Sequence, residues 1–260
     1  MQPTPRHIAT SPNQRTRAVV LCGRTEVRHH LFWKPIISRS EAPSTVFDNC
    51  VTYVVTVHPS QSFTISPDDA LSFAIRSGIG HLTTVVGGRI ESCVIPFVIR
   101  TEIGSATLLG HLSASNRQVA SIDEGADALL IVEGPVAYVS PGLYPTKVET
   151  GKVVPTLNYI SVQIRGKLQP LAANVELRAL LASLTDHFEK SQPNPWSIND
   201  APEDYVHTQM KAIRGFSMRI DKVEGVGKHS QNKPEADQLS VRDAFRAGND
   251  GERVIAEWMK

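Results

Sequence analysis

The sequence predicts a mainly β, α+β fold: a small antiparallel barrel of about six strands, closed to remove its edges, with helices packed outside. Three observations carry that prediction. Short runs alternate apolar and polar residues at the period of a half-buried strand, most plainly Ile160, Val162 and Ile164 against Ser161, Gln163 and Arg165. Gly-Gly, Gly-Pro and single glycines separate those runs as turns would. Residues at helical spacing fall in separate stretches, chiefly after the main β region.

The elements follow in order. Ser66-Pro67-Asp68-Asp69 supplies an N-cap, a proline at the first helical position and two acids in the first turn. That helix runs from Pro67 to Arg76, with Ala70, Leu71, Ala74 and Ile75 on one face, and stops near Gly78-Ile79-Gly80. His81–Val86 reads as a strand, Gly87-Gly88 as a hairpin turn and Ile90–Ile99 as the partner strand. After Gly104 come a strand over Ala106–Leu112, a polar loop over Ser113–Arg117 and a short helix over Gln118–Ile122. Ala128–Val132 and Ala137–Val139 make a fourth strand and its continuation, and Tyr159–Leu168 makes the next. Asn174–Lys190 spaces Val175, Leu177, Leu180, Leu184 and Phe188 as an amphipathic helix. Pro202–Ala212 is a second helix and Gly215–Val223 the last strand. Gly225–Pro234 reads as a polar, basic loop, and Val241–Met259 as a helix interrupted at Gly248–Gly251.

At 260 residues, 41% hydrophobic and 20% charged, the chain can bury a substantial core. A net charge of +1 gives no general attraction to nucleic acid. Cys22, Cys50 and Cys93 are odd in number and far apart, so the expectation is a reducing cytoplasm without disulfides. No apolar run approaches the ~20 residues of a membrane span. Charge is uneven along the chain. Residues 1–50 hold seven Lys/Arg against three Asp/Glu (+4), and the remainder twenty against twenty-three (−3). That leading segment is rich in Pro, Ser and Thr. It reads as a disordered basic tail, a transit peptide or an upstream extension outside the natural protein. Its prolines leave little room for an amphipathic transit helix, so a poorly ordered extension is expected over 1–50. The domain is expected over 51–260, with translation starting near Val51.

The segment Gly134–Tyr144 is dense in Gly, Pro, Tyr and Ser, and Val154–Tyr159 then delivers Thr, Asn and Tyr at a strand start. Such loops build a rigid rim that can hydrogen-bond a flat ligand with polar edges. Two further blocks share the order of the chain: Gly110-His111-Leu112 with Asn116, and Lys228-x-Ser230-Gln231-Asn232-Lys233.

In this order the four blocks resemble the PaiB-like family of FMN-binding split-barrel proteins, known as negative transcriptional regulators. The resemblance covers roughly residues 52–260. It implies a six-stranded split β-barrel that forms a homodimer, with FMN in the cleft between subunits. It also implies that Gly110–Asn116 closes over one side of the cofactor and that Tyr138–Ser140 and Thr156–Tyr159 build the barrel side. The 228–233 loop would come from the neighbouring subunit. Several positions depart from the family pattern. Ala114 stands where an arginine is usual, Arg117 where a proline is, and His229 where a leucine is. Val119, Leu143 and Leu157 stand where tryptophans are usual.

FMN requires a partner for its phosphate, donors and acceptors for its pyrimidine edge, and a flat apolar surface for its ring. Arg117, Lys228 and Lys233 are the candidate phosphate cations, with Ser113, Ser140, Ser230 and Thr156 as hydroxyl donors. Asn116, Asn158, Gln231 and Asn232 carry amides for the ring edge. Tyr138, Tyr144 and Tyr159 can pack on the ring, and His111 completes the set. For Tyr138 and Tyr159 an ordinary place in the barrel core is the competing reading, and for His111 a structural hydrogen bond. No catalytic or metal-binding constellation is evident, so a flavin- or haem-dependent oxidoreductase on the same barrel is the alternative from the enzyme class. A dimeric member that no longer binds flavin is the third reading. DNA is a partner the family label implies, but the sequence offers no tight helix-turn-helix and no basic stripe in the domain.

Overall fold

A computed structural model describes residues 60–259; the 1–50 extension and the expected start of the domain at Val51 lie outside the described residues. The described elements are β1 (Thr64–Ile65), α1 (Pro67–Ser77), β2 (Ile79–Val86), β3 (Arg89–Glu102), β4 (Ser105–Ser113), α2 (Val119–Asp123) and β5 (Asp127–Val139). They continue as α3 (Thr146–Thr150), β6 (Thr156–Pro170), α4 (Asn174–Glu189), α5 (Glu203–Met210), β7 (Ile213–Lys228), α6 (Glu235–Arg246) and α7 (Asp250–Trp258).

All pairings are antiparallel, in the order β7-β4-β3-β2-β5-β6, and β6 pairs again with β7 to close a six-stranded ring. The barrel expected from the alternating runs is therefore present. The added β1 pairs with β7 at Val226 and Gly225, beyond the point where β4 stops covering that strand. Two residues are too few for an alternation to show in the sequence.

Local chemistry sets the boundaries. Ser66 Oγ accepts the Asp69 backbone N–H at 3.1 Å and so caps α1. Gly87 and Gly88 take φ of 56° and 76°, the left-handed pair that a tight hairpin between β2 and β3 demands.

The expected loop at Gly225–Pro234 is a correction: β7 continues through Gly225 to Lys228. A Cβ on Gly225 would lie 2.5 Å from Ile65 Cγ1 and 2.8 Å from Ala70 Cβ. Glycine here serves the close approach of β1 and α1, and a composition that reads as a loop is a strand. The strand over Ala128–Val132 and its continuation over Ala137–Val139 form the single β5, with Gly134-Pro135 in a bulge where the β5–β6 register shifts between Glu133 and Val136. At the C-terminus, α6 starts six residues before the expected Val241.

Three apolar clusters hold the chain. Leu82, Ile95, Phe97, Leu130, Ile164 and Phe216 fill the barrel, which α1 enters with Ala70 and Ala74. Leu177, Leu180 and Leu184 of α4 cover Leu109 on the outside of β4. Val241 and Phe245 of α6, with Ile255 of α7, bury Ala137, Val139 and Tyr144. This third cluster fixes the end of β5 and the start of β6 against the helices that follow β7.

Candidate functional site

The end of β7 and the start of β6 lie side by side, with Lys228 directly opposite Tyr159. Lys228 Nζ donates to Thr156 Oγ1 at 2.5 Å and sits 5.7 Å from the centre of the Phe63 ring. Lys233 Nζ lies 5.1 Å from the centre of the Tyr144 ring. Burial, and then the nearby Lys233 ammonium, hold the Lys228 pKa below its ordinary value. Neither lysine is ion-paired to a carboxylate among the described residues. Two ammonium groups thus lie within electrostatic reach of each other at one end of the barrel, each against an aromatic ring.

The loop that carries them is pinned from inside. Ser230 is buried, and its hydroxyl bonds the amide of Asn158, which is itself fully buried (Asn158 Nδ2 to Ser230 Oγ 2.9 Å; Ser230 Oγ to Asn158 Oδ1 3.3 Å). Among the described residues Ser230 is the only non-glycine with positive φ, 65°. That conformation costs about 1–2 kcal/mol for an L-residue. Gln231 Nε2 donates to Gly227 O at 2.6 Å and to Ser62 O at 2.9 Å, and its Oε1 accepts the His229 N–H. Asn158, Ser230 and Gln231 therefore spend their polar groups on the protein, while Asn232 is exposed.

On the outer face of β5 and β6, Tyr138 stands opposite Leu157 and Val136 opposite Tyr159. Tyr138 is 59% exposed and Leu157 47% exposed, so a flat apolar surface adjoins the Thr156–Lys228 pair. Ser140 Oγ accepts the Gly142 N–H and so caps the short turn that follows β5. Tyr144 is buried, and its hydroxyl has no hydrogen-bond partner among the described residues. Burial and the Asp237 carboxylate push the Tyr144 phenol pKa up. Asp237 was not singled out from the sequence. It is buried and accepts from Thr146 Oγ1 at 2.8 Å, tying α6 to α3.

The other candidates lie elsewhere. His111 shares the outward side of β4 with Leu109, opposite Gly215 of β7, and burial lowers its pKa. Ser113 Oγ lies 2.9 Å from Ser115 Oγ, and Asn116 Oδ1 accepts the Gln118 N–H at 2.8 Å. Arg117 is exposed and pairs with Glu91 at 3.2 Å. Gln118, also missed in the sequence, is buried, with Nε2 within reach of Leu82 O, Thr84 Oγ1 and Glu91 O. It docks the whole Ser113–Arg117 loop onto β2 and β3. The signal for it was its place directly after the Asn116 block.

One strand separates the two groups. Ser113 pairs with Ile213 at the start of β7, whereas Tyr159 pairs with Lys228 at its end. Sixteen strand residues span about 50 Å of chain at about 3.3 Å each. Within one protomer the structure brings together the 136–140, 156–159 and 228–233 blocks, and places the 110–117 block at the opposite end of β7. Between them the outward face of β2, β3 and β5 exposes Ile79, Val85, Ile90, Val94 and Val136. A shallow cavity of about 420 Å³, bordered by Val85, Ile90, Leu129 and Arg165, opens on this face.

The chain is similar to several known proteins. A family model described as "Putative FMN-binding domain" matches residues 57–222. An uncharacterized protein of Emericella nidulans is 31% identical over 78% of this chain and 94% of its own. The protease synthase and sporulation protein PAI 2 of Bacillus subtilis is 25% identical over 74% of this chain and 91% of its own. Among solved structures, the FAD and heme binding protein of Mycobacterium smegmatis aligns with a TM-score of 0.47 at 16% identity, covering 68% of this chain and 78% of that one. With the six-stranded ring in place and the family model matching well over half of its residues, the chain belongs to the PaiB-like FMN-binding split-barrel family.

Proposed function

We propose that the protein is a cytoplasmic, homodimeric FMN-binding protein, and that each flavin cleft joins the lysine end of one protomer to the Ser113–Arg117 loop of the other. The observation that carries this reading is the pair Lys228 and Lys233, each over an aromatic ring and neither ion-paired to a carboxylate among the described residues. Two partly desolvated like charges repel, and a dianion between them removes that repulsion and gains charge-assisted hydrogen bonds. The residues present fit FMN at its phosphate end, with Thr156 as an added hydroxyl, and at its ring, with Tyr138 and Leu157 as a flat apolar surface. Asn232, which is exposed, is the amide available to the pyrimidine edge, since Asn116 already accepts the Gln118 N–H. The Phe63 and Tyr144 rings wall the lysine end, which suits a terminal phosphate better than the continuing diphosphate of FAD. When bound, FMN would supply electron and hydride transfer; the residues of this chain bind it, orient it and shield one face.

The dimer is supported by two observations: the site residues divide between opposite ends of β7, and an apolar face lies exposed between them. A two-fold axis through that face would set one end of each protomer against the other end of its partner. The regulatory role of the family is read here as indirect. Arg165, Lys167, Arg214, Arg219 and Lys222 are all paired with acids, so they form no free basic stripe for DNA. Sequence-specific DNA binding by residues 51–260, measured at two salt concentrations, would overturn the indirect role. Residues 1–50 are taken as an extension to this domain.

The test is a titration with FMN and riboflavin, followed by flavin absorbance near ~450 nm. FMN is expected to bind more tightly, and a protein that takes up neither overturns the proposal. The pH dependence has a sign. FMN affinity rises through about pH 6, where the phosphate takes its second charge. Anion binding favours the charged form of Lys228, so affinity falls again as pH climbs. That fall begins below the ordinary lysine value of about 10.4, because burial and Lys233 already favour the neutral amine. Riboflavin affinity stays level on both limbs.

A further inference from the structure

We infer that Ser230 and Asn158 are a positioning pair: buried away from any ligand, they hold the 228–233 loop in the left-handed turn that carries Lys228 and Lys233 at its two ends. The inference rests on the proposed phosphate site and adds residues that work behind it. Both side chains are all but inaccessible, and each offers its polar group to the other. An amide and a hydroxyl so placed cannot also serve a ligand outside the barrel. They serve the backbone instead. Ser230 bears the unfavourable φ of 65°, and the turn it makes is closed by Lys233 N–H donating to Ser230 O at 2.9 Å. Gln238 Nε2 donates to Lys233 O at 2.7 Å and fixes the far end of the turn. A residue held in a sparsely populated conformation by a buried side-chain bond marks a loop whose shape is imposed, and such loops cluster where a ligand is clamped. What is imposed here is the approach of two like charges, which a relaxed loop would let part.

Two variants separate the parts of this device. Ser230→Ala removes the hydroxyl and keeps the backbone penalty; Ser230→Gly removes both. Neither touches a lysine. In Ser230→Ala the loop relaxes, FMN affinity falls about tenfold, and riboflavin affinity, which needs no phosphate contact, is retained. Ser230→Gly tolerates the left-handed turn and loses less of the FMN preference than Ser230→Ala. A readout without flavin accompanies this: in an NMR titration of the lysine ammonium groups of Ser230→Ala, Lys228 moves back toward the ordinary lysine pKa as Lys233 withdraws. An unchanged FMN-to-riboflavin ratio with an unmoved Lys228 overturns the positioning role, and so does an equal loss of both flavins, which would signify general unfolding. If the wild-type protein shows no preference for FMN over riboflavin while Lys228 does shift in Ser230→Ala, the phosphate reading fails and the positioning of the lysines stands.

Discussion

Lys228→Ala lowers FMN affinity about 10- to 100-fold at neutral pH and leaves riboflavin affinity within about twofold. A charge-assisted hydrogen bond contributes about 1.5–3 kcal/mol, and each 1.4 kcal/mol is a factor of ten in affinity. The loss stops short of abolition because the nearby Lys233 still offers an ammonium group. Folding should not suffer. Lys228 is half-buried, its charged form is disfavoured by burial and by Lys233, and its one described hydrogen bond goes to the hydroxyl of Thr156. Removing it deletes a repulsion along with that bond, so the thermal midpoint stays level or rises slightly. Isothermal titration with both flavins and a melting curve decide the matter. Equal affinities of wild type and Lys228→Ala for FMN would remove this lysine from the site.

Val94→Arg is expected to convert the proposed dimer to a monomer and to remove FMN binding, although Val94 touches neither lysine. Val94 is 60% exposed, stands opposite His81 in the β2–β3 ladder and lies within the apolar face of Ile79, Val85, Ile90 and Val136. Stable interfaces bury roughly 1,200–2,000 Å², and a guanidinium at the centre of one must be desolvated without a partner, at a cost of several kcal/mol. The same side chain on a free monomer surface is harmless, so secondary structure and melting of the isolated protomer should be retained. Analytical ultracentrifugation beside FMN titration reads both effects. A monomeric Val94→Arg that still binds FMN at wild-type affinity would confine the site to one protomer, and a monomeric wild type would refute the dimer outright.

Much of the fold was legible because its signals are local. The N-cap and proline before α1, the Gly87-Gly88 turn and the alternation of β6 each act over a few residues, and each boundary fell within a few residues of its expected place. The error at Gly225–Lys228 has a tertiary cause. Gly225 and Gly227 have the composition of a loop, yet they are strand residues because β1 and α1 press against them from elsewhere in the chain. Gly134-Pro135 lies between a strand and its expected continuation, and the ladder with β6 carries β5 across it as a bulge. At Gly225 and Gly227 a distant neighbour overrides local preference, and no window of sequence contains that neighbour.

The candidate site divides along the same line. By itself the sequence determined the family, the six long strands, and the residue types that a flavin would need. These follow from order and spacing along one chain, which the sequence holds in full. Only the tertiary structure decided which way each side chain faces. Tyr138 and Tyr159 share an outward face, Tyr144 is buried beneath α6, and Asn158 and Ser230 spend their polar groups on each other. It also placed the 110–117 block at the far end of β7 from the lysines. Facing depends on strand pairing and on the helices packed against each sheet face. Those contacts join residues as far apart as Ser62 and Gln231, 169 positions along the chain, and they are fixed by closure of the barrel as a whole.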